Sequence, residues 1–168
     1  IWKRCVKDLA ILSAVIAVYI YIATTIAGIC IKRKIYNWED EASTCYKAIH
    51  MPCEAAPSFA LISAVFILQA FAVIFVMGLI MLAVWWITDK KWAGYLAAMV
   101  IVSVEYYDAD GAISTGLLWR KYVMTYSVYK KGILLGKNIL MPIAVCIAML
   151  LVTSLIVRLK KKEFINSR

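Results

Sequence analysis

Histidine occurs once in this chain, as His50, and none of its five cysteines stands in a C-x-x-C pair. His50 has Cys45 and Cys53 nearby but no recognised ligand spacing, so no metal site is expected. The missing C-x-x-C argues against membrane thiol oxidoreductase chemistry. A phosphate loop is lacking too. Gly132-Ile-Leu-Leu-Gly136-Lys137-Asn138 misses the G-x-x-x-x-G-K-[ST] spacing by one residue and puts Asn where Ser or Thr would hold Mg²⁺. The chain is therefore expected to hydrolyse no nucleotide by itself. Nothing in it supplies a nucleophile, a base and an orienting group together, so it is read as non-enzymatic and without a cofactor of its own. Acidic residues are scarce: 10 Asp and Glu against 19 Lys and Arg, a formal net charge of +9. No basic face interleaved with exposed aromatics accompanies that excess, and the charges sit mainly between apolar runs. They read as flank charges at a membrane surface, with no nucleic-acid partner.

Apolar residues are abundant. They make up 64% of the 168 positions, and the mean hydropathy is +0.82. A soluble domain is nearer half apolar, and a chain this short has too little interior to hide the remainder. Lipid has to take part of it. Four apolar segments stand out: 9–31, 59–87, 92–107 and 138–157. The first has 23 uncharged residues, about 34 Å of helix against a bilayer core of about 30 Å. The second has 29, about 43 Å, and must tilt, kink or run into the interface. The third is apolar only from Trp92 to Val104, about 20 Å, before Glu105 interrupts it. The fourth is entered through Pro142, tolerated in a first turn because early helical N–H groups lack partners anyway. The expected fold is an all-α integral membrane protein. It has four transmembrane helices, external loops at 32–58 and 108–137, and a re-entrant or interfacial element in the second loop. One membrane domain over 1–168 is expected, since no repeat, low-complexity tract or flexible linker interrupts the chain. The numbering opens on Ile1 rather than Met, so a processed, trimmed or partial chain is expected. The first apolar run is too long for a signal-peptide core.

An even number of spans puts both ends on one side. The short segments of that side carry ten Lys and Arg with three acids, and the longer loops opposite carry nine with seven. This density predicts cytoplasmic N- and C-termini, against which Lys32-Arg33-Lys34 directly after the first span argues. The plasma membrane is the expected location.

Three groups of residues are candidates for function. Glu105, Asp108 and Asp110 follow the short third span, and acids near membrane depth serve protons or cations. The plainer reading is an interfacial loop with solvated carboxylates, Tyr106 and Tyr107 lying in the aromatic belt. Asp89, Lys90 and Lys91 form a tight turn between the second and third spans, flanked by Trp85, Trp86 and Trp92 as interface anchors. Cys45 and Cys53 share the 32–58 loop and are a candidate disulfide if that loop lies outside the cytoplasm. Small residues also recur at four-residue spacing, as in Ala10 and Ala14 or Ala93 and Ala97, which suits close packing against partner helices. The tail Arg158-Leu-Lys-Lys-Lys-Glu-Phe-Ile is open to contact with anionic lipid or a cytoplasmic partner, and its plainer reading is a stop signal facing lipid.

The order of these features is familiar. A long polar loop precedes a span, a Lys-rich turn follows it, a shorter span runs into a partly apolar segment, and a proline-started last span ends in Arg158-Leu-Lys-Lys-Lys-Glu-Phe-Ile. Over residues 59–165 this layout resembles the C-terminal part of bacterial ABC-2-type permeases, especially small peptide-export or bacteriocin-immunity permeases of Gram-positive bacteria. The resemblance implies a membrane subunit of a multi-subunit transporter working with a separate cytoplasmic ATPase. It makes Ala112 to Gly136 the re-entrant element and the turn at Asp89, Lys90 and Lys91 the cytoplasmic coupling contact. The family usually has six spans where four are read here. The alternative is a non-catalytic four-helix auxiliary or structural subunit of a larger membrane complex. Either reading implies other membrane subunits as partners.

If loop 32–58 is exported, Cys45 and Cys53 are expected to resist alkylation until a reductant is added. Ready labelling of both thiols before reduction would remove the disulfide.

Overall fold

In a computed structural model, the described residues are 2–32, 59–107 and 139–166, and they are helical apart from the turn at 89–90. Among the described residues four helices follow in order: α1 (Trp2–Lys32), α2 (Phe59–Thr88), α3 (Lys91–Tyr107) and α4 (Met141–Asn166). Three of them, α1, α2 and α4, are long and apolar enough to cross a membrane. They fit an integral membrane protein. The apolar part of α3, Lys91–Ser103, is shorter, about 20 Å against a hydrocarbon core of about 30 Å. Loop 32–58 beyond Lys32 and the 108–137 segment, with its expected re-entrant element, lie outside the described residues.

Two helices outrun their apolar segments. Helix α1 begins at Trp2, seven residues before Leu9, and α4 continues to Asn166, nine beyond Val157. Charge ends an apolar run, but it does not end a helix. Lys, Arg and Glu are good helix formers, and their charged ends reach water while their stems cover the helix. Three cations in the first two turns of α1 oppose the helix dipole. Trp2 packs against Trp86 and bonds Ser154, which acts against that small cost.

The chain divides into two compact units: residues 1–13, 72–118 and 143–168, and residues 14–71 and 119–142. In the first unit, α1 runs antiparallel to α2: Trp2 stacks edge-on against Trp86, while Leu9 lies over Gly78. Helix α4 runs parallel to α2, with Cys146 beside the Ala72 carbonyl and Lys160 at residues 86–89. Ala72, Phe75, Val76, Leu79 and Ala83 of α2 are buried, at the i, i+3, i+4 spacing of one helix face. In the second unit, Tyr21 hydrogen-bonds the Ser63 hydroxyl at 2.7 Å, and its ring lies 6.0 Å from that of Phe66. Val65, Gln69, Ala70, Ala17 and Pro142 are buried there.

Two threonine hydroxyls inside the apolar helices find their partners locally, whereas the buried Ser13 hydroxyl has none among the described residues. Thr25 donates to the Tyr21 carbonyl at 2.8 Å and Thr153 to that of Met149 at 2.8 Å. Bonding one turn back satisfies a hydroxyl where no water reaches.

Two glycines of the first unit stand where helices approach closely. A Cβ at Gly94 of α3 would stand 2.7 Å from the Met81 carbonyl oxygen of α2, which is backbone and cannot yield without moving the helix. A Cβ at Gly78 would meet only the end of the Leu9 side chain, 2.9 Å from Cδ2 and closer to Cδ1. That side chain can change rotamer. Gly94→Ala should therefore destabilise the folded chain by about 1–3 kcal/mol as overpacking. Gly78→Ala should cost less: both variants gain up to about 1 kcal/mol in helix propensity, but at Gly78 only a movable side chain has to yield. Thermal unfolding of both variants in mild detergent checks the order. Equal midpoints would mean that the α2–α3 approach is not the tighter one.

Candidate functional site

The best-defined polar cluster is at the α2–α3 turn, and all of it belongs to the first unit. Helix α2 ends at Thr88, and Asp89 takes the left-handed conformation with φ 55°. Aspartate tolerates that region better than most residues. The Asp89 N–H donates to the Trp85 carbonyl at 2.8 Å and closes the last turn. The Thr88 hydroxyl donates to the Val84 carbonyl at 2.8 Å and accepts the Lys90 N–H at 3.3 Å. The Lys90 carbonyl in turn accepts the Ala93 N–H at 3.2 Å, opening α3.

Carbonyls 86 and 87 have no helical partner, because the helix stops before residues 90 and 91 can supply one. Lys160 of α4 supplies it. Its ammonium donates to the Trp86 carbonyl, to the Ile87 carbonyl at 2.9 Å and to Asp89 Oδ2 at 3.0 Å. An ammonium has three protons, and all are used here. The cation also suits the negative end of the α2 dipole. Nearby, the Trp2 indole donates to the Ser154 hydroxyl at 3.2 Å, and its ring lies 6.1 Å from that of Trp86, inclined at 72°. The start of α1, the α2–α3 turn and the end of α4 thus meet at one place. Lys90 and Lys91 point elsewhere: their ammoniums lie 5.8 Å from the Trp92 ring centre and 5.5 Å from that of Trp85. These are cation–π distances.

No protein-family model, no curated protein and no solved structure matches this chain.

Of the residues singled out in the sequence, Asp89, Lys90 and Lys91 fall together in this cluster. Glu105 falls in the last turn of α3, at the end remote from it in the helix. The Glu105 side chain, Asp108, Asp110, Cys45 and Cys53 lie outside the described residues. Among the described residues no group of three His, Cys, Asp or Glu converges. Cys5 and Cys146 are free thiols. Sequence reasoning missed Trp2 and Lys160. Lys160 reads as one of three consecutive lysines in a tail facing lipid, and only the register of α4 against α2 distinguishes it.

The contacts of Lys160 differ in weight. The Asp89 side chain is 86% exposed, so its ion pair contributes about 0–1 kcal/mol. A hydrogen bond from a charged donor to a carbonyl otherwise unpaired is worth about 1.5–3 kcal/mol. Lys160→Met should therefore lower stability by about 2 kcal/mol, and Asp89→Asn, which keeps the left-handed tolerance, by less than about 1 kcal/mol. Thermal or denaturant unfolding in detergent checks this. A larger loss from Asp89→Asn would make the ion pair, not carbonyl capping, the main contact.

Proposed function

We propose that this chain is a membrane-embedded transporter subunit of the ABC-2 permease kind, driven by a separate ATPase. The observation that supports it is the Lys160 contact. The turn at Asp89, Lys90 and Lys91 is exposed, yet through Lys160 it is bonded to the end of α4. A push on this turn would be passed to two membrane-length helices at once, which is what a coupling element must do. In this reading α3 also crosses the membrane, which brings the spans to four, with Glu105 near its far end. The 108–137 segment between α3 and α4 returns into the membrane from outside. The chain lies in the plasma membrane with both termini cytoplasmic. The meeting of the α1 start with the α2–α3 turn and the α4 end supports a common side for all three. The basic excess of those segments supports the cytoplasmic assignment.

A non-catalytic auxiliary subunit is the second reading. It is favoured by large apolar side chains exposed along α1, such as Ile11, Val15, Ile22 and Ile26, which membrane partners could cover as well as lipid.

Purification from the native membrane in mild detergent separates the two. A transporter subunit carries a cytoplasmic ATPase with it, and Asp89→Asn combined with Lys90→Gln and Lys91→Gln weakens that association. Stoichiometric membrane proteins without an ATPase would support the auxiliary reading, and a chain that purifies alone would sink both. Replacing Glu105 by Gln, and Asp108 and Asp110 by Asn, should reduce transport if these acids serve ions. Unchanged transport would leave them as interfacial carboxylates.

A further inference from the structure

The Lys160 contact leaves an electrostatic remainder at the α2–α3 turn. Asp89 is the one acid of the turn, and Lys160 takes it. Lys90 and Lys91 are both exposed, and among the described residues neither has a carboxylate within ion-pair distance. Lys3, Arg4 and Lys7 stand exposed on the first turns of α1, at the same end of the first unit, with Asp8 alone as acid. Among the described residues this is a concentration of positive charge with no carboxylate paired to it, beside a membrane-length helix.

The aromatic partners specify the geometry further. The Lys90 and Lys91 ammoniums lie over the Trp92 and Trp85 rings. Trp92 is 61% exposed, Trp85 39% and Ile87 51%. A cation held on an indole face loses little by also binding an anion from the open side. Each lysine therefore offers a positive head above an exposed apolar surface. A free phosphate would satisfy the charge and leave that apolar surface in water. An amphiphile with an anionic head and acyl chains satisfies both.

From this arrangement we infer that Lys90 and Lys91, with Trp85, Trp92 and Ile87, form a binding site for the headgroup of an anionic phospholipid. The phosphodiester lies between the two ammoniums, and the glycerol and upper acyl chain lie against the tryptophans and Ile87. The site rests on the membrane reading of the helices and not on the permease reading. A chain that binds no ATPase would still have it.

The test uses the full chain in bilayer discs of phosphatidylcholine and phosphatidylglycerol in equal amounts. Lipids retained after transfer to mild detergent are counted by mass spectrometry. The wild type should retain phosphatidylglycerol selectively. Lys90→Gln and Lys91→Gln should each weaken that selectivity about fivefold, and about twenty-five-fold together. Lys90→Arg with Lys91→Arg should keep it, which separates loss of charge from loss of fold. Lys161→Gln with Lys162→Gln, which removes as much charge from the tail, should also keep it. Excess inorganic phosphate should leave the lipid in place. No enrichment in the wild type, equal loss in the tail variant, loss in the arginine variant, or displacement by inorganic phosphate would each overturn the assignment.

Discussion

A helix that ends at a membrane surface leaves its last carbonyls to be satisfied by something other than its own backbone. At the end of α2 that partner is Lys160, which comes from a helix more than seventy residues later in the chain. The contact decides more than a cap. It sets the register of α4 along α2, because one ammonium has to reach two successive carbonyls and the carboxylate of the next turn. It also frees Lys90 and Lys91 from Asp89, so that they turn to the tryptophans on either side. The start of α1 is drawn to the same place by Trp2, which bonds Ser154 of α4 and packs against Trp86 of α2.

The rest of the first unit follows from close approach rather than from polar contacts. Helices in lipid gain little from hiding apolar surface, since lipid tails are as apolar as leucine. What remains is packing, and packing is tightest where a side chain is missing. Gly94 lets α3 come against the backbone of α2, and Gly78 makes room for Leu9 of α1. The Thr153 hydroxyl inside α4 is kept from disturbing this by bonding its own preceding turn. Among the described residues of the first unit, hydrogen bonds between helices gather at the end where Trp and Lys meet, and the coupling role and the lipid site are proposed there.

Much of the helix content was legible in the sequence, because uncharged runs of membrane length have few other uses. The 59–87 run agrees with α2 to one residue. The short third run agrees with α3, including the turn that precedes it. The ends of α1 and α4 were less legible: hydropathy marks where a chain leaves lipid, whereas a helix stops where its hydrogen bonds or packing stop. The turn at Asp89, Lys90 and Lys91 could be found as a candidate site from its charge between two apolar runs. Its principal partner could not, because Lys160, Lys161 and Lys162 are equivalent in composition.

The apolar runs by themselves determined that this chain is helical and suited to a membrane, and their charged gaps determined where the chain turns. Only the tertiary structure decided which faces meet and which lysine acts as a cap. Helix α2 is apolar all round, so no polar stripe in its sequence marks its buried side. That choice falls to shape, at Gly78 and Gly94, and to the unpaired carbonyls at its end that Lys160 satisfies.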